Sequence, residues 1–267
     1  MKKIISITLT LIFALAFIGC GGSDKKADNN KKEITIGITP VPFKEIVEKA
    51  QPELEKEGYK LKIVEFTDYV TPNTSLDDGE IDANLFQHVP YLNKFNEEKH
   101  TKLVPVANVV IAPMGVYSNK IKNLKDIKNN AEIAIPNDST NGSRALKLLE
   151  SAGLIKLKKG EIVTKFDIIS NPKNIQIKEL DAPQVVRVLD DVEAAIINTN
   201  FALDANLSPS KDSILLEGKD SPYVNALVVK EENKDKEYIK ALSKALNSPE
   251  VKKFIEEKYK GNLIAAF

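Results

Sequence analysis

The chain of 267 residues is poor in several things that chemistry usually needs. Cys20 is its one cysteine, so no disulfide framework holds the fold together and no cysteine cluster can bind a metal. Of its two histidines, His88 has no second His, no Cys and no carboxylate triad beside it in sequence, which leaves a metal site unsupported. A catalytic role for His88 is also unsupported, since the chain has no Gly-x-Ser-x-Gly nucleophile elbow. Excess charge is missing too: 38 Lys and Arg balance 38 Asp and Glu, which excludes the strong positive field that nucleic acid attracts. No motif for a cofactor appears. The scarcest feature is arginine. Only Arg144 and Arg187 occur among the 38 basic residues. Where lysine serves nearly everywhere, an arginine marks a place that needs a planar fork able to grip a carboxylate or phosphate with parallel hydrogen bonds.

What is present is ordinary for a soluble globular protein, with 42% hydrophobic and 28% charged residues, and length enough for one large or two medium domains. The first twenty residues stand apart. "MKKIISITLTLIFALAFIGC" has two lysines and then an apolar run from Ile4 to Ile18 that is too short and wrongly flanked for a spanning helix, so residues 1–20 read as a secretory signal. Cys20 closes that run behind Gly19, where a free thiol has no packing purpose. "FIGC" resembles a bacterial lipobox, with Phe17 where such boxes usually carry leucine. That resemblance implies a cysteine that bears lipid, palmitate included, after cleavage; simple secretion with cleavage nearby is the alternative. Residues 21–32, "GGSDKKADNNKK", cannot form a core and read as a flexible tether. The expected location is the cell envelope, membrane-anchored and facing the periplasm or the exterior.

From Glu33 the pattern alternates between strand and helix. "EITIGIT" is a β-branched strand, "PFKEIVEKAQPELEKEG" is helical in spacing with a kink or short break expected at Pro52, and "YKLKIVEF" is a second strand. A short helix near Thr71 to Asp78, a strand at Ile81 to Asn84 and a helix from Val89 to Glu98 follow. "KLVPVANVVIAPMGVYS" is extended, broken by Pro105 and Pro113. A second set runs through "AEIAIP", "NGSRALKLLESAG", "IQIKEL", "APQVVRVLDD" and "VEAAIIN", then β-rich "SPYVNALVVK" and two closing helices, Lys236 to Leu246 and Val251 to Tyr259. Such alternation implies an α/β protein with mostly parallel sheets flanked by helices. Ligands of open α/β sheets bind beyond the carboxyl ends of strands, and here those ends carry amides, aromatics and one arginine, spread over both halves as a cleft between two lobes requires.

Three groups stand out. "IPNDSTNGSRALKLLE" joins a strand to a helix through small polar residues that supply a cap and leave backbone N–H groups free, with Arg144 in the first turn, where the helix dipole disfavours a cation. A ligand carboxylate would compensate it; an ordinary capped helix with Arg144 paired to Asp138 is the plainer reading. The lysine-plus-hydroxyl ending of a phosphate loop is missing. In "DANLFQHVPYLNKF", Phe86, His88 and Tyr91 fall within six residues, with Tyr69 at the end of the preceding strand. Such rings suit a thioether side chain, although Phe86 and Tyr91 taken singly fit an ordinary core as well. Asn198 and Asn225 are favoured as ligand contacts, with Asn200 as a turn cap.

"EFTDYVTPNTSLDDGEIDANLFQHVPYL", "AIPNDSTNGSRALKLLESAGLI", "VEAAIINTNFAL" and "DSPYVNALVVK" together resemble the methionine-binding lipoprotein family, the substrate-capturing component of bacterial methionine ABC importers, over the whole chain from Glu33. The resemblance implies a two-lobed periplasmic-binding-protein fold of the second type, with residues 33–117 plus 221–267 in lobe I and 118–220 in lobe II, and crossings near Tyr117 and Ser221. It also implies that Arg144 holds a ligand carboxylate, that Asn198 and Asn225 contact the amino-acid backbone, that Tyr69, Phe86, His88 and Tyr91 enclose the side chain, and that Asn141 joins the site. The implied partners are a permease, an ATPase and a membrane reached through the N-terminal lipid. No cofactor is implied. A methionine-containing dipeptide is the alternative ligand. An anchored hydrolase using His88 is the alternative from another class.

Overall fold

The computed structural model describes residues 31–218 and 220–267. The signal, Cys20 and residues 21–30 of the tether lie outside the described residues. The body begins with β1 (Glu33–Ile38), α1 (Pro40–Lys56), β2 (Lys60–Glu65), α2 (Thr71–Asp78), β3 (Ala83–His88), α3 (Val89–Lys99) and β4 (Leu103–Ile111). Then come β5 (Gly115–Tyr117), β6 (Glu132–Pro136), α4 (Ser139–Ser151), the pair β7 (Lys156–Leu157) and β8 (Ile168–Ser170), β9 (Gln176–Leu180), α5 (Ala182–Val185) and β10 (Ala194–Ile197). The remainder is α6 (Thr199–Asp204), α7 (Pro209–Asp212), β11 (Leu215–Leu216), β12 (Val224–Lys230), α8 (Glu237–Leu246), α9 (Pro249–Tyr259) and β13 (Ile264–Ala265).

Two mixed sheets organise these elements. The first has the order β13-β4-β12-β3-β1-β2 and the second β11-β5-β10-β6-β9. In each, three parallel strands (β3-β1-β2 and β10-β6-β9) are extended by antiparallel ones. Strand periodicity sorts the second sheet's side chains into two cores. Ile133, Ile135, Ala194 and Ile196 face Leu146 and Leu149 of α4, while Ala134, Ala195 and Ile197 face Val185 and Phe201. In the first sheet, Ile34, Ile36 and Ile38 join the core of α1 and α8, and Gly37 is required by close approach, since a Cβ there would sit 2.6 Å from Ile81 Cδ1.

Several expectations shift. Helix α1 runs through Pro52 without a break, because Ala50 and Leu54 on either side are fully buried in the first core; its one non-helical residue is Val41. Pro105 does not end β4 but sits where its pairing with β12 slips register, as an antiparallel ladder accommodates a proline. The strand expected at Ile81 to Asn84 is Ala83–His88, and all six of its residues are buried. Its polar members are hidden by a closed amide network: Asn73 Nδ2 donates to Gln87 Oε1 (2.8 Å), Gln87 Nε2 to Asn84 Oδ1 (2.9 Å), and Asn84 Nδ2 to Asn73 Oδ1 (2.9 Å). The network fastens α2 to β3. "APQVVRVLDD" forms only α5 and a following 3-10 turn.

The chain passes from the first sheet to the second through 112–114, ahead of Tyr117, because Gly115–Tyr117 already pairs with β10 and β11. It returns between Leu216 and Val224, a stretch that contains Ser221. The two passages are tied together, since Glu217 N donates to Met114 O (2.9 Å). C-terminal β13 then closes the edge of the first sheet against β4.

Truncating a member of the buried amide network strands its partners. Asn73→Ala is expected to lower stability by about 1–3 kcal/mol. Chemical denaturation checks this, and a loss under about 0.5 kcal/mol, typical of an ordinary surface change, would contradict it.

Candidate functional site

The carboxyl ends of β3, β6 and β10 converge between the sheets, and each leads into a helix; α4 and α6 begin with polar residues, Ser139–Asn141 and Thr199–Asn200, whereas α3 begins with Val89 and Pro90. At the end of β6, Asp138 caps α4 by accepting from Asn141 N (2.9 Å), and Gly142 lets the helix start close to the strand, since a Cβ there would lie 2.9 Å from Pro136 O. That is the use of the small polar run: it brings a helix start and its side chains onto the mouth of a strand. The helix begins at Ser139, so Arg144 falls in its second turn rather than its first.

All eight candidates from the sequence line one hollow between the sheets, and Phe43, Gln87, Ala112, Thr199 and Asn200 complete its wall. One side is aromatic. Tyr69 lies 5.8 Å from Phe86 and 5.9 Å from Tyr91, ring centre to ring centre, and Tyr91 Oη donates to Tyr69 O (2.9 Å). Tyr69 Oη reaches across to donate to Asn200 Oδ1 (2.6 Å), while the Tyr69 ring meets that of Phe201 at 5.1 Å. Burial pushes the Tyr69 hydroxyl well above its usual range, so it stays a donor. Asn200 is therefore not a free turn cap: the cap position of α6 is Asn198, and Asn200 binds the opposite wall.

His88 ends β3. Its Nδ1 accepts from Tyr91 N (3.1 Å), which assigns the proton to Nε2, 3.1 Å from Asn141 Oδ1. Burial and then the Arg144 charge lower its pKa to about 3, so it is neutral at pH 7 with both ring nitrogens engaged. Asn141 is the hub of the other wall. Its Oδ1 accepts from His88 and from Asn198 Nδ2 (2.8 Å), and its Nδ2 faces both oxygens of Asp138 (3.1 and 3.0 Å). Asn198 Oδ1, in contrast, is buried and has no partner among the described residues. Asn225 enters from β12, next to positions where the register slips against both β3 and β4.

Arg144 is only 3% exposed and pairs with Glu217, not Asp138. Its Nε donates to Glu217 Oε1 (3.0 Å), its Nη2 donates to Glu217 Oε2 and to Ala112 O (2.9 Å), and its guanidinium stacks 4.3 Å over the Tyr223 ring. The forked edge expected for a ligand is thus occupied by the protein's own carboxylate. The N–H groups of Nη1 are the ones that no described residue takes. Glu217, Tyr223, Thr199, Phe43, Gln87 and Ala112 were not anticipated, nor was the bond from Tyr69 to Asn200. Glu217 is 73 residues from its partner, and nothing in "LLEGKD" signals the meeting. Among the described residues no helix is long and apolar enough to cross a membrane, and no group of three His, Cys, Asp or Glu could hold a metal ion.

The family described as NlpA lipoprotein matches residues 34–267. A probable D-methionine-binding lipoprotein MetQ of Vibrio cholerae is 44% identical, covering 99% of this chain and 99% of its own length. The D-methionine-binding lipoprotein MetQ of Escherichia coli is 42% identical, covering 95% of this chain and 94% of its own. Among solved structures, a nutrient binding protein from Burkholderia cenocepacia bound to methionine superposes with a TM-score of 0.86 at 48% identity, over 88% of this chain and 100% of that one.

The buried His88 makes a pH dependence that can be isolated. In the unfolded chain it titrates near 6.5, and in the fold it stays neutral down to about 3. Between those values the unfolded chain binds a proton that the folded one does not. This contribution to stability is complete above pH 6.5 and declines by about 1.4 kcal/mol per pH unit as the pH falls toward 3. Thermal unfolding from pH 7 to 4 should show a steeper loss for the native protein than for His88→Gln; parallel curves would contradict the assignment.

Proposed function

The chain belongs to the NlpA lipoprotein family, and on that premise we propose that it is a lipid-anchored substrate-binding protein that captures methionine between two lobes and delivers it to an ABC importer. Lobe I is formed by residues 33–111 and 224–267, lobe II by 115–216, and the two passages between sheets act as the hinge. Cys20 carries the lipid. Permease and ATPase are separate chains.

One observation carries the reading of the ligand: within a single hollow, free Nη1 donors of a buried arginine and an unpartnered buried acceptor, Asn198 Oδ1, stand ready for groups of opposite polarity. A buried acceptor left unpaired costs about 1–3 kcal/mol, so a ligand N–H is strongly favoured there. An α-amino acid meets both demands, its carboxylate at Arg144 and its ammonium at Asn198 and Asn225. The thioether side chain then lies among Tyr69, Phe86 and Tyr91, where sulfur gains from contact with rings. Contacts that bridge the sheets, His88 to Asn141 and Tyr69 to Asn200, favour the closed arrangement, and ligand contacts from both sides add to them. The hydrolase alternative has no base, because both nitrogens of His88 are committed.

Calorimetric titration with L-methionine, D-methionine and methionyl dipeptides tests the ligand. Arg144→Ala is expected to weaken binding by on the order of 2–5 kcal/mol, as when a buried charge loses its partner. Unchanged affinity in a folded Arg144→Ala variant would refute the role of the guanidinium.

A further inference from the structure

Glu217 stands behind the guanidinium, outside the wall of the hollow. Its side chain is 16% exposed, both its oxygens face Arg144, and Oε2 also accepts from Met114 N (3.2 Å). We propose that Glu217 sets the charge of the site and thereby selects a zwitterion over a simple carboxylate. The inference rests on the hollow being the amino-acid site proposed above, and it names what makes that site particular about charge.

Among the described residues lining the hollow, Arg144 is the one that is charged, and Glu217 cancels it. The other carboxylate nearby, Asp138, is turned onto the start of α4, where Asn141 N, Asn141 Nδ2 and Thr140 Oγ1 donate to it. His88 is neutral. No net positive charge is therefore on offer to an incoming anion. A monoanion would bring an uncompensated charge into a buried space, whereas a zwitterion brings none, and its ammonium is drawn by the fields of Glu217 and Asp138. Glu217 also orients the fork. By taking Nε and Nη2 it leaves Nη1 as the edge available to a ligand.

With the charge of Glu217 removed, Arg144 becomes a buried cation without a partner. A monoanion then gains the full attraction, while a zwitterion gains it at one end and loses it at the other. A purely structural role for Glu217 would weaken both ligands together and leave their ratio alone.

The test is calorimetric titration of the native protein, Glu217→Gln and Glu217→Asp with methionine and with 4-methylsulfanylbutanoate, the same molecule without its ammonium. The native protein should favour methionine by about tenfold or more, and Glu217→Gln should shift the ratio toward the butanoate by at least about tenfold. Glu217→Asp keeps the charge and should stay near the native ratio. An unchanged ratio in Glu217→Gln overturns the inference. A second arm is independent of methionine: acetate at constant ionic strength should raise the melting temperature of Glu217→Gln and leave that of the native protein unmoved. That rise without methionine binding would sustain the charge role while defeating the ligand reading; no rise in the folded variant overturns the charge role even if methionine binds. If Glu217→Gln does not fold, the native protein decides, since equal affinity for the two ligands or a melting temperature raised by acetate overturns the inference, and a preference for methionine together with no response to acetate upholds it.

Discussion

A buried guanidinium must be neutralised and its N–H groups must be satisfied, and the way this chain meets that demand at Arg144 organises everything around it. The side chain leaves α4 of the second sheet and ends among both passages between sheets: Ala112 on the first, Glu217 and Tyr223 on the second. Removing one partner of such a buried pair typically costs about 3–5 kcal/mol, so the pair holds its geometry. Lysine could not serve, because its single ammonium has no fixed fork with which to bind a carboxylate along one edge and keep another edge free. The guanidinium is thus a fixed point that the two passages between sheets and the hollow share.

Around this one compensated charge the polar residues of the site are mostly amides. Asn141, Asn198 and Asn200 bridge elements with neutral hydrogen bonds, and the imidazole of His88 is kept neutral. Closing a cleft over unpaired charges would carry a heavy desolvation penalty, whereas amides can be buried at modest cost when each has a partner. Asn198 Oδ1 has no partner among the described residues, and that gives the hollow a preference for a donor. The aromatic side is braced the same way, with each tyrosine hydroxyl donating to a defined acceptor so that the rings keep their places.

Much of this was legible in the sequence because it is local. The β1-α1-β2 unit, α3, α4 and the closing helices follow from apolar period and from caps such as Asp138, and the eight candidate residues that share the hollow all lie at or near strand ends. Rarity of arginine pointed to Arg144, although it flagged Arg187 equally, and Arg187 is exposed. What escaped was non-local. Glu217 meets Arg144 across 73 residues, Asn200 meets Tyr69 across 131, and β3 was expected to end at Asn84 because nothing local shows that Asn84 and Gln87 are satisfied by Asn73 of another element. Pro52 does not break α1, since packing on both sides of it outweighs the local cost of a proline.

The central claim is that Arg144, held along one edge by Glu217, presents its remaining edge to the carboxylate of an amino acid whose ammonium meets Asn198. A crystal structure of the protein grown with methionine tests this most directly. The account predicts carboxylate oxygens within hydrogen-bonding distance of Arg144 Nη1, the ammonium on Asn198 Oδ1, and the Arg144–Glu217 pair intact. A ligand carboxylate that displaces Glu217 from the fork, or one lying away from Arg144 altogether, would contradict it.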